Sequence, residues 1–321
     1  MYPPTFDWHR MVQRPHHLLW EAARAGHGVI FCNFTRRNDR AMESVGERFY
    51  VCHNFELLQQ ADLPEAVLYC NDPAHLDLAP RLKATRTIFD VIDDLPAWRP
   101  QWPHACAAAT EVWCASEELL ARVRPLRPDA RLVPNACDFS HWVTSPEQQP
   151  IAAEVLPHPR VAVIGRIGEW VDVPALCAAA RAMPETHFLL VGPVENVDYF
   201  QADALYNIHC VGERFYPLLP SYVHACDAAL IPYRADSDTA KAAEPLKLWN
   251  LLATGKPVVA SGLPAAARLG GTLATTPDEL TDTLRAVLGG EWDRARSEHL
   301  QQTAAARLWA DSWRAAWRGA A

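Results

Sequence analysis

Short apolar runs alternate with amphipathic stretches along the whole chain. In the first half, five runs read as strands: Gly28–Cys32, Ala66–Cys70, Arg86–Val91, Glu111–Ala115 and Arg131–Pro134. They are apolar at consecutive positions, as expected of parallel strands covered by helices on both faces. A helical stretch over His16–Ala25 stops at Gly26, a residue that readily takes the left-handed conformation of a helix end. Ser116 precedes a second helix with Glu117 and Glu118 in its first turn, an N-cap and the charge sign a helix start favours. Met1–Trp8 is a poor opening strand. Either that strand is very short or the chain begins late.

The alternation lapses between Thr144 and Pro159, where Ser145, Pro146, Glu147, Gln148, Gln149, Pro150, Pro157 and Pro159 make a linker. A second series follows. Arg160–Gly165, Thr186–Gly192, Asn207–Gly212, Ala228–Pro232 and Pro257–Ser261 read as strands; Val173–Met183, Ser221–Cys226 and Pro245–Ala253 read as helices. Strands alternating with helices predict an α/β protein with doubly wound parallel sheets. Two such series predict two Rossmann-like domains facing a cleft, one over 1–145 and one over 146–302. From Asp278 the chain reads as helical. Trp309, Trp313 and Trp317 recur every fourth residue, so the segment about 303–321 is expected to lay one face back on the first domain. Ligands of such sheets bind beyond the strand C-termini.

Composition narrows the partners. Half of the 321 residues are hydrophobic and 21% are charged, the balance of a globular chain. The net charge of -8 is spread evenly over both halves. No basic stripe follows a phosphate backbone, which argues against nucleic acid. No apolar run is long enough to span a bilayer, and the N-terminus does not read as a signal peptide. The nine cysteines are scattered without zinc spacing and read as buried thiols in a reducing cytoplasm.

Several segments carry candidate chemistry. Glu244-Pro245-Leu246-Lys247 opens a helix that Gly255 closes; a helix N-terminus offers unpaired N–H groups to an anion, and Lys247 adds charge if it turns back. The bland alternative is an ordinary helix–Gly–strand unit. Gly165-Arg166-Ile167-Gly168 follows a strand, so its backbone can approach a pyrophosphate and Arg166 can pair with it. Trp170 either stacks on a ligand ring or packs. Asp236-Ser237-Asp238 has the spacing of a metal-binding triplet but lies in a polar loop, and reads as a solvated loop rather than a metal site. Asp90, Asp93 and Asp94 stand at a strand end, where a carboxylate either orients an acceptor hydroxyl and takes its proton or caps a turn. Asp7, His9, His16 and His17 lie on the first loop and helix, at the expected cleft edge; an imidazole titrates near neutrality, and His16 is the acid–base candidate among them, a surface or packing role being the bland alternative.

The stretch P-L-K-L-W-N-L-L-A-T-G-K-P-V-V from Pro245 to Val259 resembles the donor segment of GT-B glycosyltransferases of the family 4-like group, P-x-K-x-x-E-x-x-A-x-G-x-P-V-V. Other similarities fall in the same order: Gln13-Arg14-Pro15, Val133-Pro134-Asn135-Ala136-Cys137-Asp138, Val163–Asp172 and Ser312-Trp313. The resemblance covers nearly the whole chain. It departs from the group at Asn250, where the family has a Glu for the donor ribose, at Ala242, where a second Glu is expected, and at Glu169–Asp172, where a Lys is missing.

The resemblance implies a nucleotide-sugar donor held by the second domain and a glycan or lipid-linked acceptor on the first. It implies no metal, no further cofactor, and retention of configuration. Gly165, Arg166, Gly168, Trp170, Glu244, Pro245, Leu246, Lys247 and Asn250 would line the donor, and Asp93, Asp94 and His16 would act on the acceptor. The expected setting is polysaccharide or glycoconjugate synthesis in a bacterial cytoplasm, with room for peripheral membrane association. Two alternatives use the same fold: a catalytically inactive module that binds a glycan or protein, motivated by Asn250, and a nucleotide-sugar epimerase.

Overall fold

The computed structural model describes residues 1–321 except 10, 38, 62, 64, 146–149, 196–201, 203, 270, 271, 291 and 318–321, with backbone only for 272–274. The chain divides into two compact units, Met1–Asn135 with Trp309–Ala321, and Ala136–Leu308. The change of unit thus falls ten residues before the position read from sequence. Cys137 and Asp138 already bond to the second unit, through Trp249 and Asn250. Of the linker residues, Pro146, Glu147, Gln148 and Gln149 lie outside the described ones, and Ile151–Glu154 forms a helical turn.

The first unit carries strands β1 (Val29–Cys32), β2 (Met42–Gly46), β3 (Phe49–Cys52), β4 (Val67–Cys70), β5 (Arg86–Val91), β6 (Glu111–Cys114) and β7 (Arg131–Leu132). They form two ladders, β1-β3-β2 and β4-β5-β6-β7. All pairs are parallel except β2 with β3. Sequence reading missed β2 and β3; β2 is half-exposed and has no apolar run to mark it. Tyr2 bridges to Phe31, while the Tyr69 N–H donates to the Met1 carbonyl at 3.0 Å. The opening segment is therefore a strand one bridge long, set between β1 and β4.

Helix α1 (Arg14–Arg24) has Pro15 in its first turn and buries Leu18, Leu19, Ala22 and Ala23, each large apolar side chain being worth roughly 1.5–3 kcal/mol when removed from water.

The second unit holds one six-stranded parallel sheet: β8 (Arg160–Ile164), β9 (His187–Val191), β10 (Ile208–Cys210), β11 (Ala228–Pro232), β12 (Val258–Ser261) and β13 (Thr272–Thr275). Its order is β10-β9-β8-β11-β12-β13. In chain order that is 3-2-1-4-5-6, so the connections reverse direction between β8 and β11, the place where such sheets open a crevice. β8 and β11 are buried at every position. Three helices matter for the site: α2 (Val173–Ala182), α3 (Leu246–Ala253) and α4 (Arg294–Ala305). Asp172 caps α2 through the Ala175 amide at 2.9 Å. Helix α3 buries Leu248, Trp249, Leu251 and Leu252 and packs on α4.

The tail re-enters the first unit as α5 (Trp309–Trp317), which packs on α1. The His17 ring stacks on Trp309 at 4.8 Å, Trp313 stacks on Trp317 at 4.4 Å, and the Arg86 guanidinium lies 4.3 Å above Trp317. The last four residues of the predicted tail segment lie outside the described ones.

Candidate functional site

The reversal between β8 and β11 brings together segments far apart in sequence. β8 ends at Ile164 and the chain turns at Gly165 with φ +98°, a region where an L side chain is strained. A Cβ there would also stand 2.7 Å from the Lys247 Nζ. Lys247 lies in the first turn of α3, whose N-cap is Pro245; the helix therefore begins one residue later than its sequence suggests. The Lys247 ammonium turns back over β8, donates to the Ile164 carbonyl at 2.7 Å and sits 5.4 Å from the centre of the Tyr233 ring, just past β11. Burial pushes its pKa down to about 8. A cation, a helix start and a glycine turn thus meet at the strand ends. This arrangement suits an anionic, phosphate-like group.

The other donor-side candidates divide. Arg166 is exposed and loosely paired with Glu195 at 3.5 Å. Gly168 is buried because the Trp170 ring covers it; a Cβ would lie 2.7 Å from that ring. Trp170 packs, half-buried, and its carbonyl accepts from the Arg234 amide at 2.8 Å. Leu246 is half-buried at the helix start. Glu244 does not point a free carboxylate at a ligand. Its Oε1 accepts from Arg307 at 2.6 Å and from the Trp249 indole N–H at 3.2 Å. Asn250 is 1% exposed, and its Oδ1 accepts from the Asp138 amide at 3.2 Å. The side chain expected to meet a ribose instead holds the chain where it enters the second unit. Asp236 pairs with Arg234 at 2.8 Å, and Ser237 caps the short helix Asp238–Ala242, so the acidic triplet is a helix cap rather than an open loop.

The first unit corrects two expectations. Asp94 is fully buried and gripped by Arg99, at 2.6 Å and 2.7 Å, and by Arg122. Those bonds hold it as a structural anion rather than a base open to a hydroxyl. His16 is 2% exposed, accepts at Nδ1 from the Gln13 amide at 3.0 Å, and faces the Trp8 carbonyl through Nε2 at 3.2 Å. Burial pushes its pKa down to about 4, so it stays neutral where an acid–base group would titrate. It completes the capping box of α1. Asp93 stands half-buried beyond the end of β5. Asp90, at the end of the same strand, is claimed from within: Arg14 bonds it through Nε at 2.7 Å and Nη2 at 3.1 Å, and the Tyr69 hydroxyl donates at 2.6 Å. Arg14 also reaches Asn135 at 3.3 Å. Two of the motif segments, Gln13-Arg14-Pro15 and Val133-Pro134-Asn135, therefore meet in one buried ion-pair network. Eight of the nine cysteines are buried and Cys210 is exposed, which amends the reading of all nine as buried.

Residues 158–289 match the family described as Glycosyl transferases group 1. Over 109 residues the chain is 33% identical to TuaH of Bacillus subtilis (strain 168), a glycosyltransferase named for teichuronic acid biosynthesis; the match spans 33% of this chain and 27% of that relative. The fold is similar to sucrose-phosphate synthase from Thermosynechococcus elongatus, with a TM-score of 0.74 at 16% identity, covering 94% of this chain and 90% of the other. It is also similar to Anabaena HepE solved with UDP and glucose, with a TM-score of 0.63 at 16% identity, covering 81% and 77%. The fold is that of the GT-B glycosyltransferases.

Within this fold, three residues that frame the site were not among the candidates read from sequence, although Asp138 closes the Val133–Asp138 motif segment. Tyr233 gains its place only from the β8–β11 neighbourhood. Asp138 reaches Asn250 of α3 from 112 residues away, and Arg307 reaches Glu244, just before α3, from 63. The matched segment 158–289 contains Lys247 and the Gly165 turn but neither of those two. No helix among the described residues is long and apolar enough to cross a membrane.

Proposed function

We propose that this chain moves a sugar from a nucleotide-sugar donor to a hydroxyl of a glycan or lipid-linked acceptor, as a member of the family 4-like group. The observation that carries this reading is the Lys247 ammonium at the β8–β11 reversal, beside the Gly165 turn. A diphosphate placed there would accept hydrogen bonds from the first amides of α3 and from the ammonium, displacing the Ile164 carbonyl as its partner. As the sugar–oxygen bond breaks, negative charge grows on that diphosphate, and fixed donors stabilise it. Arg166 can leave its loose pair with Glu195 to add a second cation. The structures of Anabaena HepE with UDP, glucose and UDP-glucose favour a nucleotide-sugar, and TuaH favours polysaccharide synthesis as the setting.

Metal independence is supported by the cations at the site and by the engagement of Asp236 with Arg234. A cytoplasmic setting is supported by the nine free thiols, and peripheral membrane contact would bring a lipid-linked acceptor within reach. Retention of configuration follows from the resemblance and is read from the anomeric coupling of the product.

A second reading, a non-catalytic glycan- or protein-binding module, is favoured by the engagement of Glu244 and Asn250, which leaves neither polar side chain free for a ribose. Calorimetric titration with a panel of nucleoside diphosphates separates the two. The transferase reading expects binding to at least one, weakened roughly tenfold or more by Lys247→Ala, as a charge-assisted phosphate contact would be. Absence of binding to every member favours the module.

A further inference from the structure

Glu244 sits directly before the N-cap of α3, where a free carboxylate would repel a diphosphate. Its carboxylate is 11% exposed and is neutralised by Arg307, 35% exposed, at 2.6 Å. The same guanidinium lies 4.2 Å above the Trp249 ring, and the Trp249 indole N–H donates to the same Glu244 oxygen at 3.2 Å. Three side chains thus close a ring across the first turn and a half of α3, the turn that carries Lys247. Arg307 is itself fixed by its backbone: its carbonyl accepts from the Cys137 amide at 2.8 Å, and Cys137 bridges to Leu308. The Cys137 thiol meets the Trp249 carbonyl at 3.4 Å. Cations over an indole face and charged hydrogen bonds hold geometry better than either does alone.

We propose that Arg307 is a positioning residue of the donor site: by clamping Glu244 and Trp249 it sets the start of α3, masks the Glu244 charge, and so aims Lys247 at the strand ends. The inference deepens the donor reading of this site and rests on it for its binding consequence. The geometric part, that Arg307 orders the start of α3, stands without a donor.

A double-mutant cycle tests the binding part. Nucleoside diphosphate affinity is measured calorimetrically for the full chain, Lys247→Ala, Arg307→Ala and the double variant, with Arg307→Lys as the conservative control. Arg307→Ala is expected to weaken binding roughly tenfold in the native background and to have little further effect once Lys247 is gone. Arg307→Lys, which keeps the charge toward Glu244, is expected to recover part of the loss. Additive losses, or no loss from Arg307→Ala, overturn the proposal. Amide hydrogen exchange of the unliganded protein tests the geometric part. Arg307→Ala is expected to speed exchange in peptides covering 245–253 while β8 and β11 stay protected; unchanged exchange there overturns the proposal whether or not any nucleotide binds. If the native chain binds no nucleoside diphosphate, the donor reading fails by itself and the exchange experiment decides the clamp.

Discussion

At the residue scale, two bases, half-buried Lys247 and buried His16, behave in opposite ways for one physical reason. Burial disfavours the charged form of each. Lys247 still stays mostly protonated at neutral pH, since its pKa comes down only to about 8. Its usefulness to a phosphate therefore has an upper pH limit. Nucleoside diphosphate affinity is expected to hold level below about pH 8 and to fall as the pH rises past it, with the fall absent in Lys247→Ala; titrations across pH 6.5–9.5 read this out, allowing that a bound phosphate shifts the midpoint upward. His16 comes down to about 4. Between that value and its ordinary 6.5 the unfolded chain binds the proton and the folded one does not. Stability conferred by neutral His16 is thus complete above pH 6.5 and is lost progressively as the pH falls toward 4, by about 3 kcal/mol in full. Denaturant unfolding at pH 7 and pH 5 is expected to show this loss, with His16→Asn showing less of it.

At the scale of elements, α5 shows how a helix can be read without its seat being known. The fourfold spacing of Trp309, Trp313 and Trp317 marks one apolar face. What that face meets, namely His17 of α1 and the Arg86 guanidinium, depends on chain returning from the far end of the sequence. Trp313 is 7% exposed, so Trp313→Ala is expected to cost roughly 3–5 kcal/mol in the first unit, read as a lower melting temperature. Nucleoside diphosphate affinity should be unchanged, because the groups proposed to bind it lie in the second unit. The strands were legible where they are apolar throughout, as in β8 and β11. β2 was not, since half-exposed residues carry no such run, and the opening strand shrinks to the single bridge of Tyr2. Helix α3 was legible from the segment Pro245 to Gly255. The direction in which Lys247 turns was not, because it depends on Gly165 leaving space for the ammonium.

At the scale of the whole molecule, the alternation of apolar runs and amphipathic stretches by itself determined that this is an α/β chain with two parallel-sheet units. Ordered motif segments determined that it resembles the GT-B glycosyltransferases. Local patterns carry that much because strand burial and helix amphipathy repeat over a few residues. Only the tertiary structure decided which polar side chains are free. Asp94, His16, Glu244 and Asn250 looked available in sequence and are engaged by Arg122, Gln13, Arg307 and Asp138. A buried polar group must find a partner wherever the fold places one, and Asp94, Glu244 and Asn250 each take one from 28 or more residues away. Sequence spacing proposes a group's chemistry, and the folded chain settles whether that group is already spent on holding the protein together.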